Sequence, residues 1–221
     1  MVLGRPEFIR FHRGLIMTEL QISPQPPEMP PEPSIVVLGR FQPFHRGHEI
    51  LITSAVEWRD ENSPESMIVI AIGSSNRPET LRNPWSADER KEMIEAWAGS
   101  DEKLGDFQIV AIPDIDDPPN WVSHAERYHG GPGTLFTSDQ ETAELYSKGG
   151  WETVIAQLEH RERYEGWRVR ETARMMSTIM DDEAVIEVLG ATVPMSVIDY
   201  LISKGALRRL AFLGEGGEPV G

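Results

Sequence analysis

From Ser34 onward, short unbroken apolar runs alternate with longer stretches in which apolar residues recur every three or four positions. Ile35-Val36-Val37-Leu38 and Met67 to Ile72 are runs of the first kind. They predict strands buried on both faces of a parallel sheet. Further strands are predicted at Phe107 to Ile112, Thr134 to Thr137 and Thr153 to Leu158. Between them, residues 47–58 carry Ile50, Leu51, Ser54, Ala55 and Trp58 at helical spacing. Ser86-Ala87-Asp88-Glu89 has the form of a capping box and predicts a helix reaching about Ala98. Asn120 is placed to cap a helix over Trp121 to Tyr128, and another is expected near 140–148. The remainder reads as helical, including a helix with Pro194 in its first turn. Strands alternating with helices imply an α/β fold: a parallel sheet with helices on both faces and a helical C-terminal part. Ligands of such sheets bind beyond the strand C-termini, at the topological switch point.

The ends break this pattern. Six of the ten residues from Pro24 to Pro33 are proline, which holds the backbone extended and bars it from a helix or central strand. Residues 1–33 therefore read as a disordered, proline-rich leader, or as an overlong start with Met17 as a second initiator. Residues 34–213 form the expected domain, and the Gly-rich 214–221 a flexible tail. Gly4-Arg5 and Phe11 to Gly14 echo Gly39-Arg40 and Phe44 to Gly47, with different spacing and no helical pattern after them. The echo reads as coincidence or a degenerate duplicate.

Composition narrows the chemistry. The 221 residues suit one domain with appendages. No stretch approaches the roughly 20 apolar residues that span a bilayer, and no signal peptide is evident. With no cysteine, disulfides, thiolate nucleophiles and sulfur-ligated zinc are excluded, which fits a cytoplasmic protein. A formal net charge of -15 makes nucleic acid a poor partner. A phosphate site on such a body must be a local cluster of cations.

One segment has that character. Gly39-Arg40-Phe41-Gln42-Pro43-Phe44-His45-Arg46-Gly47-His48 lies between the first predicted strand and the first helix. A helix N-terminus offers unpaired N–H groups and partial positive charge to an anion. Gly39 would let a phosphate approach the backbone, and Arg40 adds a permanent charge. His45 and His48, three apart, project on one side of the first turn. Gly47 between them removes a side chain that would crowd a nucleotide. Capping or packing is the bland reading of such a pair, and metal chelation is a rival. Arg46 inside the motif and the lack of cysteine disfavour a dication held by the protein.

The string resembles the signature of the HIGH-type nucleotidyltransferases, and the chain from about Ile35 to Leu210 resembles the archaeal-type nicotinamide mononucleotide adenylyltransferases. The likeness is carried by Gly39 to His48, by Ile72 to Ser75 with Leu81 to Arg90, by Pro113-Asp114-Ile115 with Trp121, Val122 and His124, and by Arg161 to Arg170. The resemblance implies a Rossmann-like fold and transfer of AMP from ATP to nicotinamide mononucleotide, with Mg²⁺ arriving on ATP and no dedicated protein metal site. It implies that His45, His48 and Arg40 are catalytic, the two histidines holding the ATP phosphates and stabilising charge at the reacting centre, and Arg40 a phosphate ligand at the junction of the two substrates. Gly39, Phe41 and Gln42 belong to the substrate-binding loop. Arg82 would grip the mononucleotide phosphate, Trp121 would stack on the nicotinamide ring, and Arg170 would close the late phosphate motif. Family members commonly form homo-oligomers, so a homo-oligomer is expected.

Each of these has a plainer alternative: Arg82 a solvated loop residue, Trp121 a core residue, Asp114, Asp116 and Asp117 turn residues among prolines. The late segment also departs from the family. Where the pattern is Ser-Gly/Ala-Thr-x-Ile/Val-Arg, this chain reads Glu165-Gly166-Trp167-Arg168-Val169-Arg170, and Asp139 replaces an Asn. Another register would make Thr172 and Arg174 the functional pair. Three functions therefore stand: this transfer, the same chemistry on another phosphorylated acceptor, and a non-catalytic nucleotide-binding protein.

Overall fold

The computed structural model describes residues 21–32, 34–77, 79–99 and 105–213. The echo at Gly4 to Gly14 and the 214–221 tail lie outside the described residues. Five parallel strands, β1 (Ile35–Gly39), β2 (Ile68–Ile72), β3 (Phe107–Ala111), β4 (Thr134–Thr137) and β5 (Glu152–Ile155), form one sheet. Their order is β3-β2-β1-β4-β5. The chain winds outward from β1 in one direction and from β4 in the other, so the switch point lies between them. Among the described residues there are seven α-helices: α1 (Arg46–Asn62), α2 (Ala87–Ala98), α3 (Trp121–His129), α4 (Gln140–Lys148), α5 (Gly166–Met176), α6 (Asp182–Leu189) and α7 (Met195–Ser203). None is long and apolar enough to cross a membrane.

Two-residue periodicity sorts the strand side chains between the layers. Ile35, Val37, Ile68, Ile70 and Ile72 face a core shared with α1, α2 and the C-terminal helices, whose contributions include Val169, Leu189 and Leu201. Val36, Val69, Ala71 and Leu135 face the opposite layer of α3 and α4, packing on Val122, Ala125 and Tyr146. Burying each such aliphatic side chain contributes about 1.5–3 kcal/mol relative to leaving it in water. Because both faces are covered, β1 and β2 have no polar alternation.

Local chemistry then fixes the ends. Ser86 Oγ accepts from Glu89 N–H at 3.2 Å and Glu89 Oε2 accepts from Ser86 N–H at 2.9 Å, completing the predicted box. Asn120 differs from expectation. Its amide donates to Asp117 Oδ2 at 2.7 Å and leaves the helix uncapped, because a 3₁₀ turn over Pro118–Asn120 runs directly into α3. Pro194 stands one position outside α7, as its N-cap. β5 ends at Ile155; Ala156 and Leu158 leave the ladder to pack on the core.

The proline-rich stretch, where described, is extended and mostly exposed, and three hydrogen bonds tie it to the body. Asn76 Nδ2 donates to Gln21 O at 2.8 Å, Ser75 Oγ to Ser23 O at 3.4 Å, and Tyr128 Oη to Pro24 O at 3.0 Å. Gly130, at φ 75°, has Pro31 O 2.0 Å from where a Cβ would stand.

Candidate active site

At the C-terminal edge of the sheet, β1 runs into the Gly39 to His48 string and then α1. A guanidinium the motif reading passed over holds this edge together. Arg90, 1% exposed, donates from Nη1 to Arg40 O and Gly73 O, both at 2.8 Å. It donates from Nη2 to Ser74 O at 3.2 Å and from Nε to Ser86 O at 3.0 Å. One buried cation on α2 thus ties together the ends of β1 and β2. Its pKa is lowered to about 10, by burial first and then by Arg40, so it keeps its charge at neutral pH.

A cavity of about 400 Å³ opens beside this edge. Arg40, Phe41, Gln42, His45 and His48 line one side; Arg161, Tyr164, Glu165, Gly166 and Arg170 line the other. The two imidazoles stack with centroids 3.6 Å apart. His48 Nδ1 accepts from the backbone N–H of His45 at 3.2 Å, so in the neutral ring the proton sits on Nε2 as a donor. The rings of Phe41 and Phe44, at 4.6 and 5.7 Å, hold His48 in place. Burial, reinforced by Arg170, drops the His45 pKa to about 3. Burial and the adjacent His45 hold His48 well below its ordinary value. Both rings are therefore neutral at neutral pH, and His48 presents a donor. Arg170 Nη1 donates to Gln42 O at 2.8 Å, and burial together with Arg40 and Arg82 lowers its pKa to about 10.

Trp121 lies elsewhere, in a second cavity of about 290 Å³ with Arg77, Asp114, Asp116 and Leu145. Arg77 Nε donates to Asp114 Oδ2 at 2.6 Å, and Arg77 also pairs with Asp116. These aspartates are spent on an arginine. Arg40 lines the first cavity only; partial burial and Arg82 lower its pKa, while Asp114, which lines the second, raises it. Arg82 is exposed and lines neither cavity, yet its charge reaches both Arg40 and Arg170.

Several sequence expectations acquire different physical reasons. A Cβ on Gly39 would meet the Phe41 ring at 2.9 Å, so that glycine makes room for an aromatic ring of its own loop. A Cβ on Gly47 would meet Tyr164 Cβ at 2.7 Å and the His45 ring at 3.1 Å, so Gly47 admits the neighbouring turn. Gln42 is buried with its amide bonded at both ends to the Trp85 backbone, Nε2 to O at 2.8 Å and Oε1 from N–H at 3.1 Å. Its side chain clasps the loop before α2. Phe41, with φ 51°, is equally buried. Arg46 donates to Gly190 O at 3.1 Å, fastening α1 to α6. Trp167 is 54% exposed, lines no part of the cavity, and carries the Arg168 guanidinium 4.6 Å over its ring.

A model of the cytidylyltransferase-like family matches residues 36–129, which include Arg40, His45, His48, Arg82 and Trp121. The nicotinamide-nucleotide adenylyltransferase of Methanococcus vannielii is 31% identical over 179 residues, 81% of this chain and 94% of that one. The chain belongs to the nicotinamide-nucleotide adenylyltransferase family. A second family member, from Picrophilus torridus, is 30% identical over 134 residues, 61% of this chain and 75% of its own. Among solved structures, a bifunctional NMN adenylyltransferase/ADP ribose pyrophosphatase from Francisella tularensis, complexed with AMP and a Mn ion, superposes with a TM-score of 0.53 at 17% identity. That match covers 81% of this chain, which spans about half, 52%, of the bifunctional protein. It supports the adenylyltransferase fold.

Sequence reasoning named Arg40, His45, His48 and Arg170, which one cavity collects. It gave no role to Arg161 and Tyr164, which line the same cavity, or to Arg90, which braces it. Arg161 stood in a quoted segment, but nothing in its spacing marks which way a loop cation turns. Arg90 carried the stronger signal: an arginine on the apolar side of an amphipathic helix, four residues after its cap.

Proposed function

We propose that the protein transfers the AMP part of ATP to nicotinamide mononucleotide, giving NAD and pyrophosphate. The reading rests on one observation above all: Arg40, His45, His48 and Arg170 share a cavity at the switch point of the sheet. Family membership supplies the chemical class.

In this reading a phosphate oxygen of the mononucleotide attacks the α-phosphorus of ATP in line. The bond from that phosphorus to the bridging oxygen breaks, and pyrophosphate carries the electron pair away. No protein nucleophile takes part, so the chain contributes position and charge. His48 donates Nε2–H to phosphate oxygens as their charge redistributes, and His45 stacks behind it. Arg170 and Arg161 receive the outer phosphates. Arg40, in the first chamber, meets the α-phosphate and the incoming phosphate together. The mononucleotide occupies the second chamber, its ring on Trp121 and its phosphate toward Arg82.

Among the described residues no group of three or more His, Asp or Glu could hold a metal ion. A cation delivered by ATP, Mg²⁺ in this reading, would be held chiefly by phosphates and water, as its geometry favours. Bound there, it supplies charge neutralisation to the leaving pyrophosphate. A homo-oligomer in the cytoplasm, with no nucleic-acid partner, completes the proposal; light scattering on the purified chain reads the assembly.

The deciding assay combines purified protein, ATP, Mg²⁺ and nicotinamide mononucleotide, and measures NAD. Formation of NAD with equal pyrophosphate is the expected result. A marked preference for another phosphorylated acceptor, or ATP binding with no turnover, would overturn the reading.

A further inference from the structure

We propose that Arg209 is a positioning residue for acceptor binding: from outside both chambers, its guanidinium fixes the turn that presents Arg82 to the phosphate of the mononucleotide. The inference rests on the reading of Arg82 as the ligand of that phosphate.

Arg82 sits at the tip of a tight turn. Thr80 N–H donates to Asn83 O at 3.2 Å, and Asn83 N–H donates back to Thr80 O at 3.0 Å and to Thr80 Oγ1 at 3.2 Å. The turn has two feet, Glu79 and Pro84, and Arg209 reaches both. Its Nη1 stands 3.5 Å from Glu79 Oε1 and donates to Pro84 O at 3.2 Å. The same guanidinium forks onto Glu89, Nη1 to Oε2 at 2.7 Å and Nη2 to Oε1 at 2.6 Å. Glu89 belongs to the capping box of α2, so Ser86 N–H fixes its carboxylate from the other side. Arg209 comes from a 3₁₀ turn over Arg208–Ala211, just after α7. The same segment holds the loop again, where Trp85 Nε1 donates to Ala206 O at 3.2 Å. Arg209 lines neither chamber.

Arg82 is exposed and belongs to no strand or helix, so the feet of its turn decide where its charge stands. That charge is felt by Arg40 and Arg170, which places the tip within electrostatic reach of the nucleotide chamber. Three like charges repel. A turn freed at its feet would carry Arg82 outward before the acceptor arrives, and drawing it back would be taken from the acceptor's affinity. Gln42 holds Trp85, beyond the second foot; Arg209 bridges the two feet. Its two parallel bonds to one carboxylate fix direction as well as contributing energy. A residue that merely fastened the C-terminal segment would lower stability and leave the KM of the acceptor alone.

Initial-rate kinetics on the full chain test this, with nicotinamide mononucleotide and ATP varied in turn. Arg82→Ala and Arg209→Met should each raise KM for the mononucleotide about tenfold, with kcat and KM for ATP held within about twofold. The double variant should show no further rise, because two substitutions that act through one guanidinium are not additive. Arg209→Lys keeps the charge but loses the fork, so KM for the mononucleotide should rise about threefold. That variant decides the matter if Arg209→Met does not fold. Ser86→Ala loosens the cap of α2 without touching the turn; it should lower the unfolding midpoint and leave both KM values alone. An unchanged KM for the mononucleotide in the folded Arg209 variants overturns the proposal. So does an equal rise in KM for ATP, the mark of general loosening, or an additive rise in the double variant. An unchanged KM in Arg82→Ala would overturn the reading of Arg82 and this proposal together.

Discussion

His48 offers the nucleotide chamber one polar edge, and that edge is defined by a backbone N–H on the far side of its ring. Replacing it with alanine removes the donor that, in the proposed mechanism, meets the reacting phosphates. We expect kcat to fall about 100- to 1,000-fold, or ~3–4 kcal/mol in the barrier, with KM for ATP changed far less. Initial-rate kinetics check this, and unimpaired turnover would remove His48 from the mechanism. His45 makes a prediction about pH. Its folded pKa, about 3, lies well below the ordinary value of 6.5. The unfolded chain therefore takes up a proton in that window before the folded one does. The contribution of neutral His45 to stability is complete above about pH 6.5 and lost as pH falls toward 3, at about 1.4 kcal/mol per unit. Unfolding midpoints measured from pH 7 to pH 4 should slope less in His45→Gln. Gly47→Ala tests the packing account: a Cβ 2.7 Å from Tyr164 Cβ should cost about 1–3 kcal/mol and loosen the chamber wall.

At the scale of elements, α2 does more than cover the sheet. Arg90 supplies donors to four backbone carbonyls from the loops around β1, β2 and the helix's own cap. Arg90→Met fills similar volume but leaves those carbonyls without a donor. We expect a loss of about 3 kcal/mol or more, with activity falling through displacement of Arg40, whose carbonyl is one of the four. Denaturant unfolding compared with Ser86→Ala, a simple cap loss of about 1 kcal/mol, separates bracing from capping. The elements themselves were legible because burial on both faces writes unbroken apolar runs, as in β1 and β2. Asn120 misled because a side-chain cap depends on which way the preceding turn arrives, and the 3₁₀ turn there was not encoded in any spacing. The candidate site was legible in Arg40 and the His45–His48 pair, which sit at a strand end and a helix start, while Arg170 was legible only through the family resemblance. What the glycines were for was not. Their reasons, Phe41 for Gly39 and Tyr164 for Gly47, are tertiary contacts.

Over the whole molecule, an acidic body of net charge -15 concentrates positive charge at one edge of one sheet. Burial, and after it the charges of neighbouring guanidiniums, lower the pKa of Arg40, Arg90 and Arg170. A bound polyanion relieves that repulsion. ATP should therefore raise the unfolding midpoint, by about 2–4 °C for each kcal/mol of binding linkage. The proline-rich stretch from Gln21 to Glu32 is a separate contribution. We take 34–213 as the folding unit, so a chain starting at Ser34 should fold. It should lose about 1–2 kcal/mol with the hydrogen bonds at Asn76, Ser75 and Tyr128, read as a lower midpoint in thermal scans.

The division of the edge into two chambers, with Arg40 lining the first and Asp114 the second, constrains the order of events. On the proposed occupancy, neither substrate need wait for the other, and direct transfer passes through no modified enzyme form. Double-reciprocal plots at several fixed acceptor levels should converge rather than run parallel. The dinucleotide product, long enough to fill both compartments at once, should inhibit competitively against either partner.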